Sequence, residues 1–165
     1  MHATRLAARS ALRIGDPAFE QALAAVLGQG RPGAGVLLTL RAPAGSAPLA
    51  ARELASRLGR SLLRVDMSGA VSSYIGETEK NLARALARAR AGAVILLFDE
   101  ADALFGRRST VTGAHDRYAN QEVSYLLTQL DALGGIAILC TRARGAPPWS
   151  HLRRVQQLEV SWPPR

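Results

Sequence analysis

Lysine is almost missing from this sequence. Of its 21 basic residues a single one, Lys80, is lysine. The scarcity bears on phosphate chemistry, because a glycine-rich phosphate loop uses a lysine at a fixed place to meet the outer phosphates. Cysteine is as scarce, with Cys140 alone. That excludes an internal disulfide and fits a reducing compartment. Cys140 lies in an apolar run and reads as core filler rather than a nucleophile. Aromatic residues make up 5%, so the arginines lack the aromatic interleaving of a nucleic-acid platform. The longest apolar run, around Ala93 to Phe98, is far too short to span a bilayer. A secretory hydrophobic segment is also missing.

What is present suits one globular domain with a real core: 165 residues, 48% hydrophobic and 21% charged. The net charge is +8 and the sequence pI about 11.1. A balance of this kind is compatible with an acidic partner or nucleic acid. The arginines, however, are scattered among many alanines, which reads as compositional bias as much as a patch. Neither a nucleic-acid nor a membrane partner is expected.

Residues 1–15 read as a basic leader. Arg5, Arg9 and Arg13 are spaced four apart, which would place them on one helical face. The core domain is expected over 16–165. Asp16-Pro17 has the pattern of an N-cap followed by proline at the first helical position. Phe19, Leu23, Val26 and Leu27 then recur at helical spacing up to Gly28. Short apolar strands are expected at Val36–Leu40, Ser61–Val65, Val94–Phe98, Ile136–Cys140 and Gln157–Ser161. Helices between them are read from Leu49, Leu54, Ala55 and Leu58, then from Leu82, Ala85, Leu86 and Ala89. A long one runs from about Arg117 to Leu133, with Val123, Leu126, Leu127 and Leu130 on one face. Alternating strands and helices predict an α/β fold: a five-stranded parallel sheet with helices on both faces.

Two stretches carry the chemistry. The run from Val94 to Phe98 ends in Asp99 and Glu100. A strand buried on both faces puts its carboxyl end where ligands bind in such sheets. One carboxylate can hold Mg²⁺ directly or through water, and the other can orient a water. The plainer alternative is that the pair merely ends a core strand. The second stretch, RAPAGSAP at 41–48, has the strand–loop–helix setting of a phosphate loop. It keeps Pro43, Gly45 and Ser46. Ala47 and Pro48 stand where Gly-Lys is expected, and Leu49 where the Mg²⁺-binding hydroxyl would fall. A strand-to-helix turn without phosphate is an equal reading of these residues.

YIGETEKNL (74–82), VILLFDEADALFGRRS (94–109), HDRYANQEVSYLLTQLD (115–131) and IAILCT (136–141) together resemble the AAA family of ATPases. The resemblance covers roughly residues 33–164. It implies a P-loop NTPase three-layer sandwich with the sheet order 5-1-4-3-2, ATP and Mg²⁺ as cofactors, and ATP hydrolysis coupled to protein remodelling in an oligomeric ring. By the same resemblance Asp99 lies near Mg²⁺ and Glu100 activates water. Tyr74 and Ile75 match the pore-loop pair that grips a peptide. Arg153 and Arg154 match the region supplying an arginine finger to a neighbouring subunit. Pro43, Gly45, Ser46, Ala47 and Pro48 fall in the nucleotide loop, and Thr141 at the sensor strand.

The departures bear on activity. The loop that usually reads GPPGTGKT reads APAGSAP. Thr141-Arg142 replaces the usual Thr-Asn, and the helical lid that follows the last strand in the family is expected to be absent. A charge-assisted hydrogen bond is worth about 1.5–3 kcal/mol, so the lost lysine alone weakens nucleotide binding by about tenfold to a hundredfold. The expectation is a cytoplasmic AAA core domain, truncated before the lid, that binds ATP weakly and hydrolyses it poorly. The alternatives are a non-enzymatic subunit of an AAA ring and a decayed, truncated paralogue.

Overall fold

The central apolar runs become strands because their side chains are covered on both sides, the condition under which a parallel sheet is stable. The structure, a computed structural model, describes residues 12–28, 35–43, 45–65, 77–92, 94–99, 101, 124–142 and 145–161. In chain order these form β1 (Leu12–Arg13), α1 (Pro17–Gly28), β2 (Val36–Arg41), α2 (Ala47–Arg57), β3 (Ser61–Arg64), α3 (Glu77–Arg90) and β4 (Val94–Phe98). Helical residues 124–131, here α4, lead to β5 (Ile136–Thr141) and β6 (Gln156–Ser161).

All strand pairs are parallel, in the order β1-β6-β2-β5-β4-β3. Without the short β1 edge, this is the expected order 5-1-4-3-2. Strand β2 is central. It pairs with β5 from Val36↔Ile136 to Arg41↔Thr141, and with β6 from Val36↔Gln156 to Arg41↔Ser161.

The alternation of side chains along the strands divides the core into two layers. Val36, Leu38 and Leu40 share one face with Ile95, Leu97, Ile136 and Ile138, under Phe19 and Leu23 of α1 and Ala50, Ala51 and Leu54 of α2. Leu37, Leu96, Phe98, Ala137 and Leu139 share the other, under Leu82, Ala85 and Ala89 of α3 and Leu126, Leu127 and Leu130 of α4. The connection between β5 and β6 adds Trp149, Leu152 and Val155 to this second layer.

The sixth strand corrects the reading of Arg13 as part of a helical face. Leu12 and Arg13 pair with Val160 and Ser161, and the Ile14 N–H donates to the Ser161 carbonyl at 3.3 Å. The edge of β6 offers these residues backbone partners, and Ile14 enters the core. Spacing along the chain cannot reveal such a partner. Arg5 and Arg9 lie outside the described residues. So do the side chains of Val26 and Leu27 and the first part of the helix expected from Arg117.

Helix and sheet approach closely at Gly135, just before β5. A Cβ at Gly135 would overlap the Ala89 carbonyl oxygen at the end of α3. Backbone cannot retreat as a flexible side chain does. Gly135→Ala is therefore expected to destabilise the fold by about 1–3 kcal/mol, read as a lower urea midpoint.

Candidate functional site

The carboxyl ends of β2, β5, β4 and β3 form one edge of the sheet. Their last residues and the residues just after them bring together Arg41, Pro43, Ser46, Thr141, Asp99 and Arg64. This is the edge at which open parallel sheets bind ligands, because strand ends and helix starts leave polar groups there.

The loop between β2 and α2 is a closed turn. The Ser46 N–H donates to the Pro43 carbonyl at 3.1 Å, and the Ser46 hydroxyl donates to the same oxygen at 2.7 Å. Gly45, the third residue of this turn, has φ +80°, a conformation that glycine adopts without strain. Helix α2 then starts at Ala47, with Pro48, which has no N–H, in its first turn. Ser46 sits at the N-cap, but its side chain makes no cap hydrogen bond to the helix. Leu49 is 60% exposed, the one large apolar side chain so exposed among the described residues.

Asp99 follows β4 directly. Its Oδ2 accepts a hydrogen bond from Arg64 Nη2, at the end of β3, at 3.0 Å. Asp99 is mostly buried at 18% exposure, whereas Arg64 reaches in from solvent at 64%. Thr141 is buried at the end of β5, in register with Arg41. Arg41 forms an ion pair with Glu159 of β6 and donates to the Gly145 carbonyl at 2.9 Å, joining the central strand to the loop after β5.

A second polar contact fixes that loop from below. Trp149 Nε1 donates to Thr39 Oγ1 at 2.8 Å, and both residues are buried. An indole N–H needs such a partner when it is removed from water. Gln157 adds a bond from Nε2 to the Leu152 carbonyl at 2.7 Å.

The expected arginines lie elsewhere. Arg153 and Arg154 are exposed and precede β6, at the opposite edge of the sheet from Asp99. A six-residue strand separates the two edges by about 20 Å. The side chain of Asp131, at the end of α4, accepts the N–H of Arg154 at 2.9 Å and of Val155 at 3.3 Å. The structure therefore brings Pro43, Gly45, Ser46, Ala47, Pro48, Asp99 and Thr141 to one edge and keeps Arg153 and Arg154 apart. Glu100, Tyr74 and Ile75 lie outside the described residues.

Arg64, Asp131 and the Thr39–Trp149 pair were not singled out by sequence reasoning. Arg64 had a signal: the one charged residue in the expected strand SLLRV. Asp131 had one in its place at the end of TQLD, after an amphipathic run.

The described donors of the loop at 43–49 fit a magnesium-bound nucleotide poorly. A phosphate cradle needs converging backbone N–H groups, a lysine and a hydroxyl. Here the Ser46 N–H and hydroxyl both face Pro43, the chain's lysine is on α3, and Leu49 stands in the hydroxyl's place.

An all-parallel sheet of this order, with helices on both faces, defines the P-loop NTPase class of α/β domains. The model of the ATPase family associated with various cellular activities (AAA) matches residues 48–160. The chain belongs to the AAA family. The match begins just after the turn at 43–46. A nuclear valosin-containing protein-like protein of Mus musculus is 38% identical over 109 residues, 65% of this chain and 12% of that protein. A proteasome-associated ATPase of Kribbella flavida is 34% identical over 117 residues, covering 67% and 20%. The 26S proteasome subunit RPT4 of Saccharomyces cerevisiae is 32% identical over 107 residues, covering 64% and 24%. The chain thus spans about a quarter or less of the length of these relatives. No described helix is long and apolar enough to cross a membrane.

The Asp131 bonds make a local prediction. Asp131→Ala leaves two amides unpaired. It is expected to cost about 1–2 kcal/mol and to speed hydrogen exchange at Arg154 and Val155 ahead of the strands.

Proposed function

We propose that this chain is an AAA core domain that works within a protein-remodelling assembly while its own nucleotide site is weak or silent. Family membership supports the assembly and the remodelling; AAA proteins act as rings on protein substrates. One observation carries the silence of the site: the Ser46 N–H and hydroxyl are both bound to the Pro43 carbonyl. Groups that would face phosphate are turned into their own loop, and no lysine stands near them in sequence. A bound phosphate would have to break this turn and would regain no lysine for it.

A second observation favours a role beside an active neighbour. Arg153 and Arg154 are exposed, their segment is tied down by Asp131, and they sit across the sheet from the chain's own carboxylate. An arginine held in this way can serve another subunit's site and not its own. Such a finger is worth about 10³–10⁵ in rate to the site that receives it. In this reading Glu100 is a carboxylate inherited from active relatives, Tyr74 and Ile75 contact the peptide in the ring's channel, and the assembly is cytoplasmic.

Calorimetry with ATP and Mg²⁺ tests the proposal. The natural chain is expected to bind at least about tenfold more weakly than a variant with Gly-Lys-Thr restored in the loop. Equal, micromolar binding by both would overturn it. Any residual hydrolysis by the natural chain is expected to fall with Glu100→Gln; no change would remove Glu100 from the catalytic role.

A further inference from the structure

Asp99 is the carboxylate that the family resemblance puts beside a divalent ion. In this chain its surroundings differ from that role. A carboxylate at 18% exposure, at the end of a strand buried along its whole length, needs a positive partner close by. Among the described residues a positive side chain fills that place. Arg64 ends β3, the strand directly paired to β4, and the register aligns Arg64 with Leu97, two residues before Asp99. The Val65 N–H donates to the Leu97 carbonyl at 2.8 Å, so the strand end that carries Arg64 is held against β4. From there Nη2 reaches Asp99 Oδ2 at 3.0 Å.

We infer that Arg64 replaces the divalent cation as the charge partner of Asp99, so that this carboxylate is a member of a built-in ion pair and Mg²⁺ is excluded from it. The chemistry favours arginine for the task. A guanidinium stays charged at every physiological pH and is less strongly hydrated than an ammonium, so it serves a half-desolvated carboxylate well. A hydrated divalent ion approaching the same oxygens would meet a fixed positive charge already bonded to one of them. The pair also removes the cost of an unpartnered carboxylate in the empty domain, which a metal-dependent site leaves in place until the ion arrives. Arg64 thus acts on specificity: it selects the metal-free state of the edge.

The inference deepens the proposed reading of a silent site and rests on it only in taking Asp99 as the family's metal-side carboxylate. It is separable from the turn at 43–46, because the cation alone, without nucleotide, is the probe. Mn²⁺ titrated into the full chain, with free Mn²⁺ counted by electron paramagnetic resonance, reads it directly. Arg64→Gln is expected to hold Mn²⁺ about tenfold more tightly than the natural chain, the effect of taking a unit positive charge from beside a divalent ion in a water-like dielectric. Arg64→Lys, which keeps the charge, should bind no better than the natural chain. Arg64→Gln/Asp99→Asn should lose the gain. Arg64 is largely exposed and Asp99→Asn is isosteric, so these variants are expected to fold, and melting curves check it. Equal Mn²⁺ affinity in the natural chain and Arg64→Gln overturns the inference. So does a gain that survives Asp99→Asn, because the ion would then sit elsewhere. Either result leaves the ATP comparison of the natural and loop-restored chains standing on its own.

Discussion

Strand β2 is paired along its whole length on both sides, and the molecule depends on that. With β5 on one edge and β6 on the other, its N–H and C=O groups are taken up by the ladder, and its side chains from Val36 to Leu40 are buried. A parallel strand of this kind is stable only when helices cover both faces of the sheet. The two apolar layers follow from it. So does the confinement of polar chemistry to the strand ends, where the ladder stops and water returns.

Within that constraint the polar contacts divide into those that hold loops and those that define the site. Trp149 and Thr39 belong to the first kind. Their bond passes through the second core layer and pins the connection between β5 and β6 to the central strand. Arg41 does the same at the carboxyl edge through Glu159 and Gly145. Asp131 orders the start of β6 from the far side, with Arg154 and Val155 as its donors. The segment carrying the exposed arginines is thus anchored at both ends while their side chains remain in water.

The carboxyl edge tells a consistent physical story. At two points where a metal-dependent nucleotide site uses an external ligand to satisfy its groups, this chain satisfies them internally, and at a third it has no polar group. Ser46 bonds back to Pro43, Leu49 replaces a hydroxyl, and Arg64 neutralises Asp99. Each change is small. Together they leave Ser46 and Asp99 already paired within the chain. It is on this internal pairing that the proposal of a silent site rests.

The amino-acid sequence by itself determined the fold class, the strand order implied by its family motifs and the place of all five expected strands to within one residue at each end. It could do so because the runs of β2, β4 and β5 are almost wholly apolar and buried along nearly their whole length, so local pattern and tertiary burial agree. The loss of the phosphate lysine was equally legible, since a missing residue type needs no geometry. Tertiary structure alone decided what the remaining polar residues do. Leu12–Arg13 became a strand because β6 had an open edge to offer. Ser46 closed a turn because Pro43 and Gly45 bring its hydroxyl back to a carbonyl. Arg64 met Asp99 because neighbouring strands place residues 35 positions apart within 3.0 Å. Contacts between strands depend on register and pairing, which the spacing of residues along one strand does not contain.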